Sequence, residues 1–220
     1  INKKSKDMTP KKHAIDLGIK KSKGEVILAT DADCRVGPLW IASMTYSLIN
    51  NNGIIIGYSE ISKIEETLFE AYQKIDFLAI LAANAGAAGW GHYWSGTGQN
   101  LAYYKKDYLK IGGFGPVKDK ISGDDMYLVQ AISNLKKGYV NIDPNSHVKT
   151  KALESVKDFL NQRIRWSSNS KSNSLLFISL SLFNLIFTSP LFMVGLIFSI
   201  LGRSAKTVFP SQSLVNRYGG

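Results

Sequence analysis

Cysteine is nearly absent from this chain: Cys34 stands alone among 220 residues. An internal disulfide framework is thereby excluded, as is a zinc site built from thiolates alone. Histidine is also scarce. His13, His92 and His147 lie far apart, and no HExxH or His-rich run gathers them. Acidic residues are outnumbered, 17 Asp plus Glu against 27 Lys plus Arg. The formal charge of +10 favours anionic partners such as phosphates, nucleic acid or an acidic membrane face. Proline (6) and glycine (19) are not in excess, no segment repeats, and 45% hydrophobic residues exclude a disordered or collagen-like chain. The opening "INKKSKDMTPKKH" is no secretory signal, because no apolar stretch follows its lysines. With no initiator Met at Ile1 and an end at "VNRYGG", the chain reads as a piece of a longer protein.

What is present alternates between the two regular structures. Ala14, Ile15, Leu17 and Ile19 form a short helical pattern that stops near Gly24. "EVILAT" reads as a buried strand running directly into "DADC". Pro38 suits a helix start, and "LWIASMTYSLINNN" continues that helix into asparagines. "GIIIGYSEI" is a second strand. Ile64, Leu68, Ala71, Ile75, Leu78 and Ala82 predict one long helix with an apolar stripe. "NAGAAGWGHYWSGTGQN" then shows no period, "LAYYKKDYLKIGGF" reads as a strand entering a short helix or turn, "SGDDMYLVQAISNLKKG" as a helix, "YVNIDP" as a strand and "ESVKDFLNQRIRWSSNS" as a helix. This alternation predicts an α/β domain. From Leu175 to Leu201 no residue is charged, long enough to cross a bilayer. Lys171 and Arg203 bracket that run and Pro190 divides it, so a kinked span, two dipping segments or a buried hairpin all fit.

Three groups of residues carry chemistry. Asp31 and Asp33 follow a predicted strand directly, at the sheet edge where ligands of open α/β sheets bind. Two such carboxylates can share a divalent ion with phosphate oxygens, or simply form a solvated turn. Asp124 and Asp125 begin a helix, where the dipole favours them as caps; an acidic pair there also suits general base work on an alcohol. In "QRIRW", helical spacing puts Gln162, Arg165 and Trp166 on one face, as a diphosphate clamp with a sugar platform or as a basic amphipathic helix. The glycines and aromatics of Trp90–Asn100 form neither a Walker loop nor a dinucleotide fingerprint. They read as a ligand path or a tight packed loop.

Taken in order, these pieces resemble the family 2 glycosyltransferases, membrane-linked enzymes of the GT-A fold. The resemblance rests on "KKHAIDLGIKKSKGEVILATDAD", "SGTGQNLAYYKKDYLKIGGF", "SGDD" and the QxxRW match "QRIRW", followed by the hydrophobic run. It implies a GT-A-type, Rossmann-like mixed-sheet domain over residues 1–173, incomplete at its start, a membrane-inserted segment at 174–202 and a polar tail at 203–220. The implied activity is inverting transfer of a sugar from a nucleotide-sugar donor to a hydroxyl of a glycan or lipid-linked acceptor, as in polysaccharide biosynthesis. Asp31 and Asp33 would hold Mg2+ or Mn2+. Lys12 and Arg165 would join them on the donor, and Asp125, beside Asp124, would be the general base. Gly98, Gln99, Asn100, Gln162 and Trp166 would shape the acceptor side. The implied location is the cell membrane, with the catalytic domain on the cytoplasmic face.

Two departures accompany the resemblance. Asp124–Asp125 stands where many members have Glu–Asp. The family's opening strand, nucleobase loop and upstream Asp would all precede Ile1, so this piece is expected to be inactive alone. A catalytically inactive membrane-associated nucleotide- or glycan-binding fragment is one alternative. A glycoside hydrolase is another, since it also uses two carboxylates. A nucleic-acid binder fits the charge, but the lysines cluster near the start and no nucleic-acid motif is present.

Overall fold

The computed structural model describes residues 8–62, 67–120 and 123–168. Helix α1 (Pro10–Lys21) begins on a proline, whose missing N–H is no loss in a first turn, and ends on Lys20 and Lys21, whose charges suit its carbonyl end. The chain continues through β1 (Val26–Ala29), β2 (Arg35–Val36), α2 (Trp40–Asn51), β3 (Ile54–Gly57), β4 (Ser59–Ile61) and α3 (Leu68–Gly89). Then come β5 (Leu101–Tyr104), α4 (Lys105–Lys110), α5 (Asp124–Leu135), β6 (Gly138–Asn141), β7 (Val148–Thr150) and α6 (Val156–Ser168).

The main sheet runs β1–β5–β3–β6. β5 is antiparallel to both neighbours, while β3 and β6 are parallel, so the sheet is mixed, as expected. Side chains alternate across a strand, and the two faces separate cleanly. Ile54, Ile56, Leu101 and Tyr103 point to one side, where Ile19 of α1 and Leu128, Val129 and Ile132 of α5 cover them. Ile55 and Ala102 point to the other, against Trp40, Met44 and Leu48 of α2. A strand covered on both faces must be apolar throughout, which is why "III" lies at the centre.

The structure departs from the sequence reading in two places. The expected single strand "GIIIGYSEI" is broken at Tyr58, and its second half, β4, joins a separate sheet of order β2–β7–β4. Gly57 marks the break: a Cβ there would lie 2.3 Å from the Asn100 amide. The long helix starts at Leu68, with Thr67 as its N-cap accepting from the Glu70 N–H at 3.1 Å, and Ile64, where the expected stripe begins, lies outside the described residues. It also runs past Ala82 to Gly89, through residues that show no amphipathic period. Alanines at 82, 83, 85, 87 and 88 sustain it by intrinsic propensity despite two glycines. The helix gives way at Gly91, whose φ is +81°.

Helix α6 docks on α3 through one cation. Arg163 pairs with Asp76, its Nε donating at 2.9 Å, and its guanidinium lies 4.4 Å from the ring centroids of both Phe159 and Trp166. Gln73 adds a two-way amide link to the Leu153 backbone, at 2.9 and 2.8 Å.

The described residues give no support to the expected membrane-inserted segment, nor to the membrane partner and the cell-membrane location drawn from it. Among the described residues no helix is long and apolar enough to cross a membrane. The longest, α3, carries Glu70, Lys74 and Asp76 in its first half. Residues 174–202, on which that reading rested, lie outside the described residues.

Candidate active site

A cleft of about 460 Å³ lies at the carboxyl end of β1, lined also by α1 and α5. Ile15, Ile27, Leu101, Tyr103 and Leu128 give it apolar walls, and Lys11, Asp31, Asp124 and Asp125 give it a charged end. Each charged group arrives for a local reason. Asp31 follows β1 at the strand's carboxyl edge and closes a turn, its carbonyl accepting from the Cys34 N–H at 3.1 Å. Gly123, with φ +84°, turns the chain into α5, so that Asp124 and Asp125 fill the first turn, where free N–H groups favour carboxylates. Lys11 comes from the first turn of α1, four residues before Ile15 on the cleft-facing stripe.

Lys11 is ion-paired with two of the three carboxylates. The Lys11 ammonium lies 3.2 Å from Asp124 Oδ2 and 3.9 Å from Asp31 Oδ1. Burial alone would lower its pKa; attraction by Asp124 and Asp31 outweighs burial and holds it above the usual lysine value. Asp31 is pushed up chiefly by burial, with Lys11 opposing and Asp33 and Asp124 adding repulsion. Asp125 is also raised, again chiefly by burial, while hydrogen bonds from two backbone N–H groups oppose the shift. Those donors are Gly98 N–H to Oδ2 at 3.2 Å and Met126 N–H to Oδ1 at 2.9 Å. A raised carboxyl held by two fixed donors is oriented to take a proton.

Of the residues singled out in the sequence, Asp31, Asp124, Asp125 and Gly98 meet at this cleft. Asp33 sits exposed on the same turn, 3.8 Å from the Cys34 thiol. Lys12 points elsewhere: it is 1% exposed, and its ammonium donates to the Lys120 carbonyl. Burial lowers its pKa, attraction by Asp124 opposes the shift, and Lys120 and Lys11 add repulsion. Gln99 does not line the cleft, and its Oε1 is buried with no partner among the described residues. Asn100 is fully buried. Its NH2 donates to the Tyr58 and Ser146 carbonyls, each at 2.8 Å, and its Oδ1 accepts from Trp40 Nε1 at 3.0 Å.

Gln162, Arg165 and Trp166 lie on α6, as the spacing predicts, but none lines the cleft. Gln162 accepts from Arg163 at 2.7 Å, and Trp166 lies 6.4 Å from Phe77 between ring centroids. In the Gly-rich loop, His92 stacks near Trp94, and the Trp94 carbonyl accepts from Gln130 at 2.7 Å. Trp90 is 83% exposed. The loop's contribution to the cleft is Gly98.

Two residues escaped the sequence reading. Lys11 was passed over for its neighbour, although its helical spacing from Ile15, Gly18 and Ser22 places all four on one stripe. Arg163, inside "QRIRW", is the residue that anchors α6, and no spacing signal distinguishes it from Arg165.

Among the described residues no group of three or more His, Cys, Asp or Glu is placed to enclose a metal ion. The hard oxygens of the Asp31–Asp33 turn nonetheless fit Mg2+ or Mn2+, which are commonly held by one or two carboxylates together with substrate phosphates.

No curated protein matches the chain. Residues 1–211 match the family described as Glycosyl transferase family 21. This corrects the resemblance to family 2: the quoted motifs do not separate one glycosyltransferase family from another. The chain belongs to glycosyl transferase family 21.

Proposed function

We propose that the cleft is the reaction centre of an inverting, metal-assisted transfer of a sugar from a nucleotide-sugar donor to an acceptor hydroxyl. The observation that carries this reading is the meeting of Lys11, Asp31, Asp124 and Asp125 at one end of one cleft. Asp31 and Asp33 would hold Mg2+ or Mn2+, which would supply positive charge against the departing diphosphate. Lys11 adds a second cation on the same side, so charge developing at the leaving group meets positive groups already at the site. Asp125 accepts the proton of the acceptor hydroxyl as that oxygen attacks the sugar carbon. Attack from the face opposite the diphosphate inverts that carbon. The two N–H donors on Asp125 fix the carboxylate's direction, which converts proximity into rate. Asp124 keeps Lys11 at the cleft. Gln162, Arg165 and Trp166 have no step in this mechanism.

The test is a pair of variants in the full-length parent protein. Asp33→Asn loses metal-dependent nucleotide binding and transfer together, whereas Asp125→Asn loses transfer and keeps nucleotide binding. Equal transfer by either variant and the unaltered protein would overturn the role given to that residue.

A further inference from the structure

Asp31, Asp124 and Asp125 converge at the charged end of the cleft, and Lys11 ion-pairs with the first two, with both pairs directed into the site. The Asp31 oxygen it approaches belongs to the turn that fits a divalent cation. A lysine ammonium and a divalent ion that approach the same carboxylate repel each other, so each weakens the other's hold on it. Lys11 also has the means to move. Its side chain is 60% exposed and ends a flexible four-carbon stem, while its backbone is fixed in the first turn of α1. Its contact with Asp31, at 3.9 Å, is the looser of the two.

We propose that Lys11 is the resident counter-ion of the donor site. Without donor it neutralises Asp31 and Asp124. The divalent ion that arrives with a nucleoside diphosphate displaces it from Asp31, and the freed ammonium turns to the diphosphate oxygens. This inference rests on the reading of Asp31 and Asp33 as the cation-binding pair. It has a thermodynamic consequence: Lys11 opposes binding of the bare ion and favours binding of the ion with a diphosphate. The two ligands are therefore coupled through one side chain, and the coupling is reciprocal.

The experiment measures Mn2+ binding by electron paramagnetic resonance of the free ion, and nucleotide binding by calorimetry with UDP and GDP at saturating Mn2+. Both are applied to the full-length protein and its Lys11→Met, Lys11→Arg and Asp33→Asn variants, with folding checked by circular dichroism. Lys11→Met binds Mn2+ alone about tenfold more tightly than the unaltered protein and binds both nucleotides about tenfold more weakly. Lys11→Arg, which keeps the charge, leaves Mn2+ affinity unchanged. Mn2+ affinity in Lys11→Met equal to or weaker than the original overturns the displacement, even where Asp33→Asn shows that the acidic turn binds the ion. Undiminished Mn2+ binding in Asp33→Asn overturns the cation-binding pair itself, and the inference with it.

Discussion

Replacing Asn100 by Ala separates two roles for that residue, a wall of the acceptor pocket or a staple of the fold. The structure gives the magnitude. Asn100 is fully buried, and its amide makes three hydrogen bonds, to Tyr58, Ser146 and Trp40, that join the start of β5 to three other segments. Alanine leaves the Ser146 carbonyl and the Trp40 indole N–H without their partner, while the Tyr58 carbonyl keeps the Val148 N–H at 3.1 Å. A buried group left unpaired costs about 1–3 kcal/mol, so two such groups, partly relieved by water, cost about 2–4 kcal/mol. Against a typical domain stability of about 5–15 kcal/mol this is severe. Trp40→Phe removes only the bond to Oδ1 and leaves one unpaired acceptor, so it costs about 1–2 kcal/mol. Urea denaturation of both variants provides the numbers. The acceptor KM of Asn100→Ala, measured where the protein remains folded, stays within a factor of about two, a negligible free-energy change. A stability loss below about 1 kcal/mol with a large rise in acceptor KM would refute the staple and restore the acceptor role.

Two further outcomes follow from the same geometry. Arg163→Ala leaves Asp76 without its ion pair and removes a cation from between Phe159 and Trp166. It lowers stability by about 1–3 kcal/mol and raises amide exchange in α6 before the rest of the domain, a pattern read by hydrogen-exchange mass spectrometry. Asp125 has its folded-state pKa raised by burial, so the folded protein holds that proton more tightly than the unfolded chain. Its contribution to stability is therefore present below the ordinary carboxylate range and is lost as pH rises through the raised value. Asp125→Asn abolishes that pH dependence but keeps one acceptor oxygen for two N–H donors, so urea denaturation followed against pH gives a flatter profile rather than a uniform gain in stability. In the original protein transfer falls as pH drops through the same raised value, because the base is then protonated.

Much of the fold is legible where burial is complete. "III" predicts a strand because a strand covered on both faces has no polar position, and "VILA", half-buried at the sheet edge, is apolar because both of its faces still pack on a cluster. The helix bearing Asp124 and Asp125 is legible because its apolar residues recur at helical spacing. Short strands are not legible: β2 and β7 have two and three residues, and their pairing is settled by tertiary contacts rather than local pattern. The end of α3 is hidden for the opposite reason, since an alanine-rich helix needs no apolar stripe to persist. At the site, the acidic residues are readable because their positions, after a strand and at a helix start, have a physical meaning of their own. Choosing between Lys11 and Lys12 requires the phase of α1 relative to the sheet, which adjacent lysines do not reveal. The QxxRW residues form the predicted helix, but whether such a helix faces a cleft or another helix depends on Asp76, distant in sequence.

The central claim, that this cleft performs sugar transfer with Asp125 as the proton acceptor, is tested most directly by the single-turnover transfer rate of Asp125→Asn in the full-length protein with nucleotide-sugar and divalent ion saturating. The account predicts a fall of about 10²–10⁴ with nucleotide affinity retained, the range expected when a positioned general base is removed. A rate within a few-fold of the original would contradict it and move the base to another residue.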